Sequence, residues 1–175
     1  MDLSGLSWKE LEELVYGEGQ NFTKINFERL GSPKNAEKRL RHEFVTSIRK
    51  GESFEQLVKR VQKVTGAEAN DAKRIVRTET TKIENSARQK AAEDEEKRTG
   101  EKYKKRWFCT FHNSRDTHKE MHNQTVPVDE PFHTPYGAAM MYPGDGTNVG
   151  PGEVINCRCR MVMLTGKRGW RYEGR

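Results

Sequence analysis

The chain has 175 residues, of which 33% are apolar and 33% charged, and its 32 basic against 26 acidic side chains give a net charge of +6. That length suits one domain with a modest core. No run approaches the roughly 18 apolar residues of a membrane-spanning helix, and the acidic stretch Met1 to Glu13 has no apolar segment of the kind a secretory signal needs. The basic excess permits contact with DNA or an acidic protein surface and requires neither.

The first half divides into helices. Ser7-Trp8-Lys9-Glu10 has the form of a capping box, in which the hydroxyl accepts from the third amide and the glutamate reaches back. Leu11, Leu14 and Val15 follow on one face, and Gly17 and Gly19 stop the helix. Ser32-Pro33 reads as a second start, with Leu40, Phe44, Val45 and Ile48 as its apolar stripe and Gly51 at its end. Ser53-Phe54-Glu55-Gln56 is another capping box, leading into Leu57, Val58, Val61 and Val64 and closing at Gly66. A longer helix is predicted over Asn70 to Glu95, with Ala72, Ile75, Val76, Ile83, Ala87 and Ala91 on its apolar face and Glu79 intruding on it. A buried carboxylate there needs a cation or several donors, because desolvation otherwise costs several kcal/mol, by order of magnitude. The charged stretch Glu93 to Lys105 reads as a frayed or exposed connection.

Beyond Lys105 the period falls towards two. Arg106 to Phe111 is predicted as a strand with Trp107, Cys109 and Phe111 on one face. Thr125 to Val128 is a short extended piece held to a sheet edge by Pro127. Pro131 to Gly152, rich in proline and glycine, reads as a long irregular loop, and Tyr142 to Gly146 as a folded turn within it. Val154 to Leu164 is predicted as the last strand, with Cys157, Cys159, Met161 and Met163 on one face. The tail from Gly166 carries Trp170 and Tyr172 among basic residues. The fold class is therefore α+β, with N-terminal helices followed by a small antiparallel sheet with long loops.

An ordered series of short pieces runs through this frame. Arg77-Thr78-Glu79, Asn85 and Ala87 share one helix; Lys105-Arg106-Trp107, Arg115-Asp116-Thr117-His118 and Gln124-Thr125-Val126-Pro127 follow. Asp129 to Phe132, Tyr142 to Asp145 and Ile155-Asn156-Cys157-Arg158-Cys159 complete it. The series resembles the phage Mu protein F-like minor head proteins, from about Phe54 to Val162. The resemblance implies a minor capsid protein of a phage or prophage particle, placed in the head interior or portal region, acting in capsid assembly and DNA packaging or delivery. Portal and capsid proteins are then its expected partners, and it is expected not to be an enzyme. Asn123 stands where such proteins often carry glycine, and asparagine is the non-glycine residue best suited to left-handed backbone. The expected division is an N-terminal helical arm over 1–52, the resembling domain over 53–165 and a basic tail over 166–175.

Three constellations carry candidate chemistry. An odd set of three cysteines, Cys109, Cys157 and Cys159, is a poor disulfide framework and points to reduced, buried or metal-bound thiols. Cys157 and Cys159, with His118 and His122 at helical spacing, would satisfy tetrahedral zinc, and Cys109 with His112 adds a further pair; the competing reading is packed, reduced thiols. Arg77, Glu79, Arg115, His118, Asn156 and Arg158 form a polar cluster. It reads as internal scaffold in which Arg115 or Arg158 neutralises Glu79. The rival is a metal- or His118-dependent phage-associated nuclease with the arginines stabilising developing charge. Lys102, Lys104, Lys105 and Arg106 are the candidate contact to DNA, without sequence preference.

Overall fold

The computed structural model describes residues 7–16 and 36–164. The predicted stops at Gly17 and Gly19, the start at Ser32-Pro33 and the tail from Gly166 lie outside the described residues. Among the described residues four helices come first: α1 (Trp8–Tyr16), α2 (Ala36–Arg49), α3 (Phe54–Thr65) and α4 (Ala69–Thr99). Both capping boxes form: Ser7 N donates to Glu10 Oε2 at 2.8 Å and Ser53 N to Gln56 Oε1 at 2.7 Å, each answered by the reciprocal amide-to-hydroxyl bond. Gly66 closes α3 in the left-handed region at φ 68°. Leu11, Leu40, Phe44, Val61, Ile75 and Val76 are buried together, so α1 to α3 and one face of α4 share a single apolar core.

The long helix outruns its predicted end at Glu95 and continues to Thr99. The stretch read as frayed or exposed is largely exposed but helical to Thr99, because Asp94 pairs with Lys97 and Glu95 with Arg98 along the helix surface, Gly100 turns the chain, and Glu96 Oε1 accepts from Tyr103 N at 2.8 Å. The chain then enters β1 (Lys104–Phe108), α5 (Asp116–Glu120), β2 (Thr125–Pro127), β3 (Phe132–His133), β4 (Ala139–Met140), α6 (Pro151–Val154) and β5 (Arg160–Leu164). The main sheet is antiparallel in the order β2-β1-β5, with Trp107 opposite Met161. Pro127 lies on the edge strand β2, where a missing amide costs no ladder bond. The loop predicted to be irregular over Pro131 to Gly152 contains the small β3–β4 pair. The final strand begins at Arg160 rather than Val154, because Pro151 starts a short helix and Asn156 adopts φ 61°, which no strand accommodates. Phe111, predicted to face inward, is 51% exposed, since the chain leaves the sheet after Phe108 and turns through φ 58° at Phe111. Asn123 takes φ 70°, as its asparagine allows.

A second apolar core, built on Trp107, Met121, Phe132, Met140 and Met161, fills the sheet side. Between the two cores stands α4, and its second face is polar. Asn85 is 1% exposed; its Nδ2 donates to the carbonyls of Pro143 (3.1 Å) and Cys159 (3.2 Å), while its Oδ1 accepts from Met161 N at 2.8 Å. One turn on, Gln89 Nε2 donates to Val128 O at 2.8 Å and Gln89 Oε1 accepts from Lys105 Nζ at 3.0 Å. Gly144, at φ 92°, approaches so closely that a Cβ there would lie 3.1 Å from the Lys82 Cα. The loop can therefore rest on α4 only as glycine.

Replacing Asn85 with Ala orphans the Met161 amide and two carbonyls, and should cost about 2–4 kcal/mol in urea denaturation. A loss below about 1 kcal/mol would show the contact to be incidental. Lys105 is fully buried, and burial pulls its ammonium down to about 8 from the ordinary 10.5 against the pull of Glu93, Asp145 and Asp129. Between those values the folded chain has released a proton that the unfolded chain still holds, so Lys105 makes stability rise with pH across that window. In Lys105→Met that contribution disappears, and the difference in stability from the parent should change between pH 8 and 10.5 but stay constant from pH 6 to 7.

Candidate metal centre

The segment 155–159 is delivered to its place by α4. Arg77 donates to Asn156 Oδ1 at 2.8 Å, Thr78 Oγ1 accepts from Asn156 N at 2.9 Å, and Thr81 Oγ1 donates to Cys157 O at 2.8 Å. With Asn85 on Cys159 O, both cysteine carbonyls are bonded to the helix, and both cysteine side chains are buried in the sheet-side core. From the other side comes His118, on the short helix α5 and 1% exposed, with Trp107 edge-on at 5.1 Å between ring centroids. His118 Nδ1 lies 3.6 Å from Cys157 Sγ and 3.5 Å from Cys159 Sγ. Among the described residues these three form a group whose ligand atoms all lie within 4.8 Å of one another.

The far nitrogen of the ring, Nε2, lies 3.0 Å from Glu153 Oε2 in a bent contact. Glu153 is fixed in turn: Thr117 Oγ1 donates to the same oxygen at 3.2 Å, and the Arg115 guanidinium spans the carbonyls of Glu153 (3.0 Å) and Ile155 (2.7 Å). The Cys159 thiol, bonded to its neighbour, holds Cys157 well below the ordinary thiol range; His118 adds to this and burial opposes it. Cys159 is displaced upward by its bond to the Cys157 sulfur, and burial reinforces the shift. Two cysteine sulfurs and an oriented imidazole make a soft donor set able to hold a divalent metal.

His122 does not join this group. The helix α5 ends at Glu120, so the expected helical spacing from His118 is lost; His122 Nδ1 accepts from Cys109 N at 3.2 Å, and its ring packs against Phe108 and Phe111. His112 bonds to Asn113 on the surface. Of the polar cluster, Arg115, His118, Asn156 and Arg158 line one cleft of about 290 Å³, and Arg77 reaches its edge through Asn156. Glu79 stays within the helical layer, 2% exposed and in electrostatic contact with Lys82. Neither expected arginine meets it: Arg115 donates to Glu153 and Ile155, and Arg158 to the carbonyls of Asn113 and Asn156. Among the candidate DNA contacts, Lys105 is buried, Lys102 is paired with Glu96 and Asp129, Arg106 bonds to Thr125, and Lys104 is exposed. Sequence reasoning missed Glu153. The Gly150-Pro151 pair was the available signal, since proline at a first helical position marks the turn that carries it.

The arrangement is that of a small α+β domain whose buried polar residues hold main chain around a soft-donor group. Sequence comparison matches residues 38–162 to the family described as Phage Mu protein F like protein, and the chain belongs to that family of phage head proteins. Among curated proteins it is similar to the NAD(+)--arginine ADP-ribosyltransferase EFV of Enterococcus faecalis (strain ATCC 700802 / V583), with 30% identity over 125 residues, covering 69% of this chain and 24% of the relative. The chain thus spans about a quarter of the length of that relative. The relative's name overturns the expectation that the chain stands apart from enzymes. No solved structure matches the chain. No helix among the described residues is long and apolar enough to cross a membrane.

Arg115 offers a direct check on the geometry. A lysine keeps the charge but lacks the planar fork that spans two carbonyls. Arg115→Lys should lose about 1.5–3 kcal/mol by chemical denaturation, nearly as much as Arg115→Ala; full rescue by lysine would mean that charge alone matters there.

Proposed function

We infer that this chain is a head-associated domain of a phage or prophage particle, acting near the portal in capsid assembly and in DNA packaging or delivery. Membership of the Mu protein F-like family over residues 38–162 is the observation that carries this reading. The geometry supports it: Arg77, Arg115, Asn156 and Arg158 are engaged in bonds within the domain, which suits a rigid docking body. Within that body His118, Cys157 and Cys159 hold zinc, whose preference for thiolate and imidazole matches the donor set. The ion adds folding energy to the sheet side, where the strands are short.

A second reading follows from the Enterococcus faecalis relative, whose name is that of an arginine ADP-ribosyltransferase. In it, the domain places such a transferase on or in the particle. Incubation of the folded chain with NAD and an arginine-bearing acceptor tests whether transfer resides in this segment. Labelling of the acceptor would locate it here, and its absence would leave the segment the docking part.

For the assembly reading, the folded chain is immobilised and presented with the portal and major capsid proteins of its own particle. Retention of the portal protein at physiological salt is expected, together with recovery of the chain in purified heads. If a fully folded preparation retains neither protein and is absent from heads, the reading fails.

A further inference from the structure

A third buried thiol, that of Cys109, lies in the core cluster that holds Cys157 and Cys159, just outside the 4.8 Å group that they form with His118. Cys109 follows Trp107 on the inward row that continues from β1, is fully buried, and packs in the same cluster as Cys157, Cys159 and Met161. Its sulfur is treated as an acceptor. Phe111 N donates to Cys109 Sγ at 3.3 Å, just as Cys159 N donates to Cys157 Sγ at 3.4 Å. In both places the amide two residues downstream turns back onto the sulfur. A neutral thiol is a weak acceptor, and such a bond becomes strong only when the sulfur carries charge. At Cys109 the turn is made with Phe111 at φ 58°, a conformation disfavoured for a bulky side chain and one that leaves the ring half exposed.

The imidazole is set in a matching way. Glu153, fixed by Thr117, faces Nε2 at 3.0 Å, which leaves Nδ1 directed at the sulfurs. A carboxylate on the far nitrogen orients a metal-bound imidazole and strengthens it as a donor. Packed inert thiols need neither the ring nor its carboxylate.

We propose that Cys109, His118, Cys157 and Cys159 close a four-ligand zinc site, with Glu153 as the positioning carboxylate. This rests on the zinc reading above and adds the fourth ligand, which His122 was expected to supply. The site is then structural, with every position taken by protein. His122 supports it from outside by accepting the Cys109 amide and so fixing the turn. Three thiolates around one dication leave one negative charge, and Lys119, whose ammonium feels Cys109, and Arg115 and Arg158, in the cleft that His118 and Cys157 line, stand around it. On binding, the thiols release their protons to solvent and no redox partner is needed. The ion ties the end of β1, α5 and the 157–159 segment, three pieces far apart in sequence.

The full chain is purified with zinc supplied, and X-ray absorption at the zinc edge counts its ligands. One zinc per chain with three sulfurs and one nitrogen is expected. Cys109→Ser should retain zinc with two sulfurs and bind it at least about tenfold more weakly, and Glu153→Gln should lose about tenfold to a hundredfold without changing the sulfur count. Zinc bound through two sulfurs in the parent, or an affinity unchanged in Cys109→Ser, overturns the fourth ligand and leaves the zinc reading standing. A parent chain that binds no zinc overturns both. If Cys109→Ser does not fold, the sulfur count of the parent alone decides.

Discussion

The polar face of α4 is the constraint on which the rest of this structure depends. Residues 155–159 run through the interior with no strand beside them on the helix side, yet buried main-chain amides and carbonyls must find partners. Thr78, Thr81 and Asn85, spaced by three and four along one helical face, supply them. The same face continues to Gln89, which holds Val128 and Lys105, and to Glu96, which takes the Tyr103 amide. One helix thus stands in for a missing strand while its opposite face completes the N-terminal core. This explains why so long a helix, with so few apolar residues, is ordered throughout.

That device also fixes the chemistry. Because the carbonyls of Cys157 and Cys159 are engaged by α4, their thiols turn towards the sheet-side core, where His118 waits. The histidine is carried on a helix of only five residues, too short to hold itself. Its position comes from Arg115, whose fork clamps the turn bearing Glu153, and from the edge-on Trp107. The residues that looked most like a catalytic set are therefore mostly occupied in building a cradle. The similarity to a named transferase concerns a stretch that forms only a quarter of that protein.

Much of the fold was legible because it follows local rules. The capping boxes at Ser7 and Ser53, the stop at Gly66 and the apolar stripes of α2 and α3 depend on near neighbours, and they stand as the sequence implies. The alternation of buried residues through Trp107, Cys109 and again Cys157, Cys159, Met161 was also readable, even though part of each run is not strand. The polar face of α4 was not. Thr81, Asn85 and Gln89 carry no sign of burial in a sequence, since the groups they satisfy lie about 40 to 80 residues away. Lys105 was misread as surface for the same reason: the Met141 carbonyl and Gln89, distant in sequence, help make an interior lysine tolerable. His122 failed as a ligand because periodicity assumes a helix that continues, and α5 ends before reaching it.

The two cores are unequal, and the inequality bears on the place of the His118, Cys157 and Cys159 group. The N-terminal core is made by helices whose stripes interlock, and such packing needs no further clamp. The sheet side has one strand of five residues paired on either flank by strands of five and three, joined to a two-residue pair by long loops. A sheet that small lacks the apolar area to stand alone. It is held by polar bonds to α4, which contribute modestly to net stability and strongly to geometry, since each unmade bond would leave a buried group unpaired. What such a half still needs is a contact that joins its distant segments to one another rather than to the helix. The thiols of the 157–159 segment and the imidazole of α5, brought within 4.8 Å of one another, meet that need.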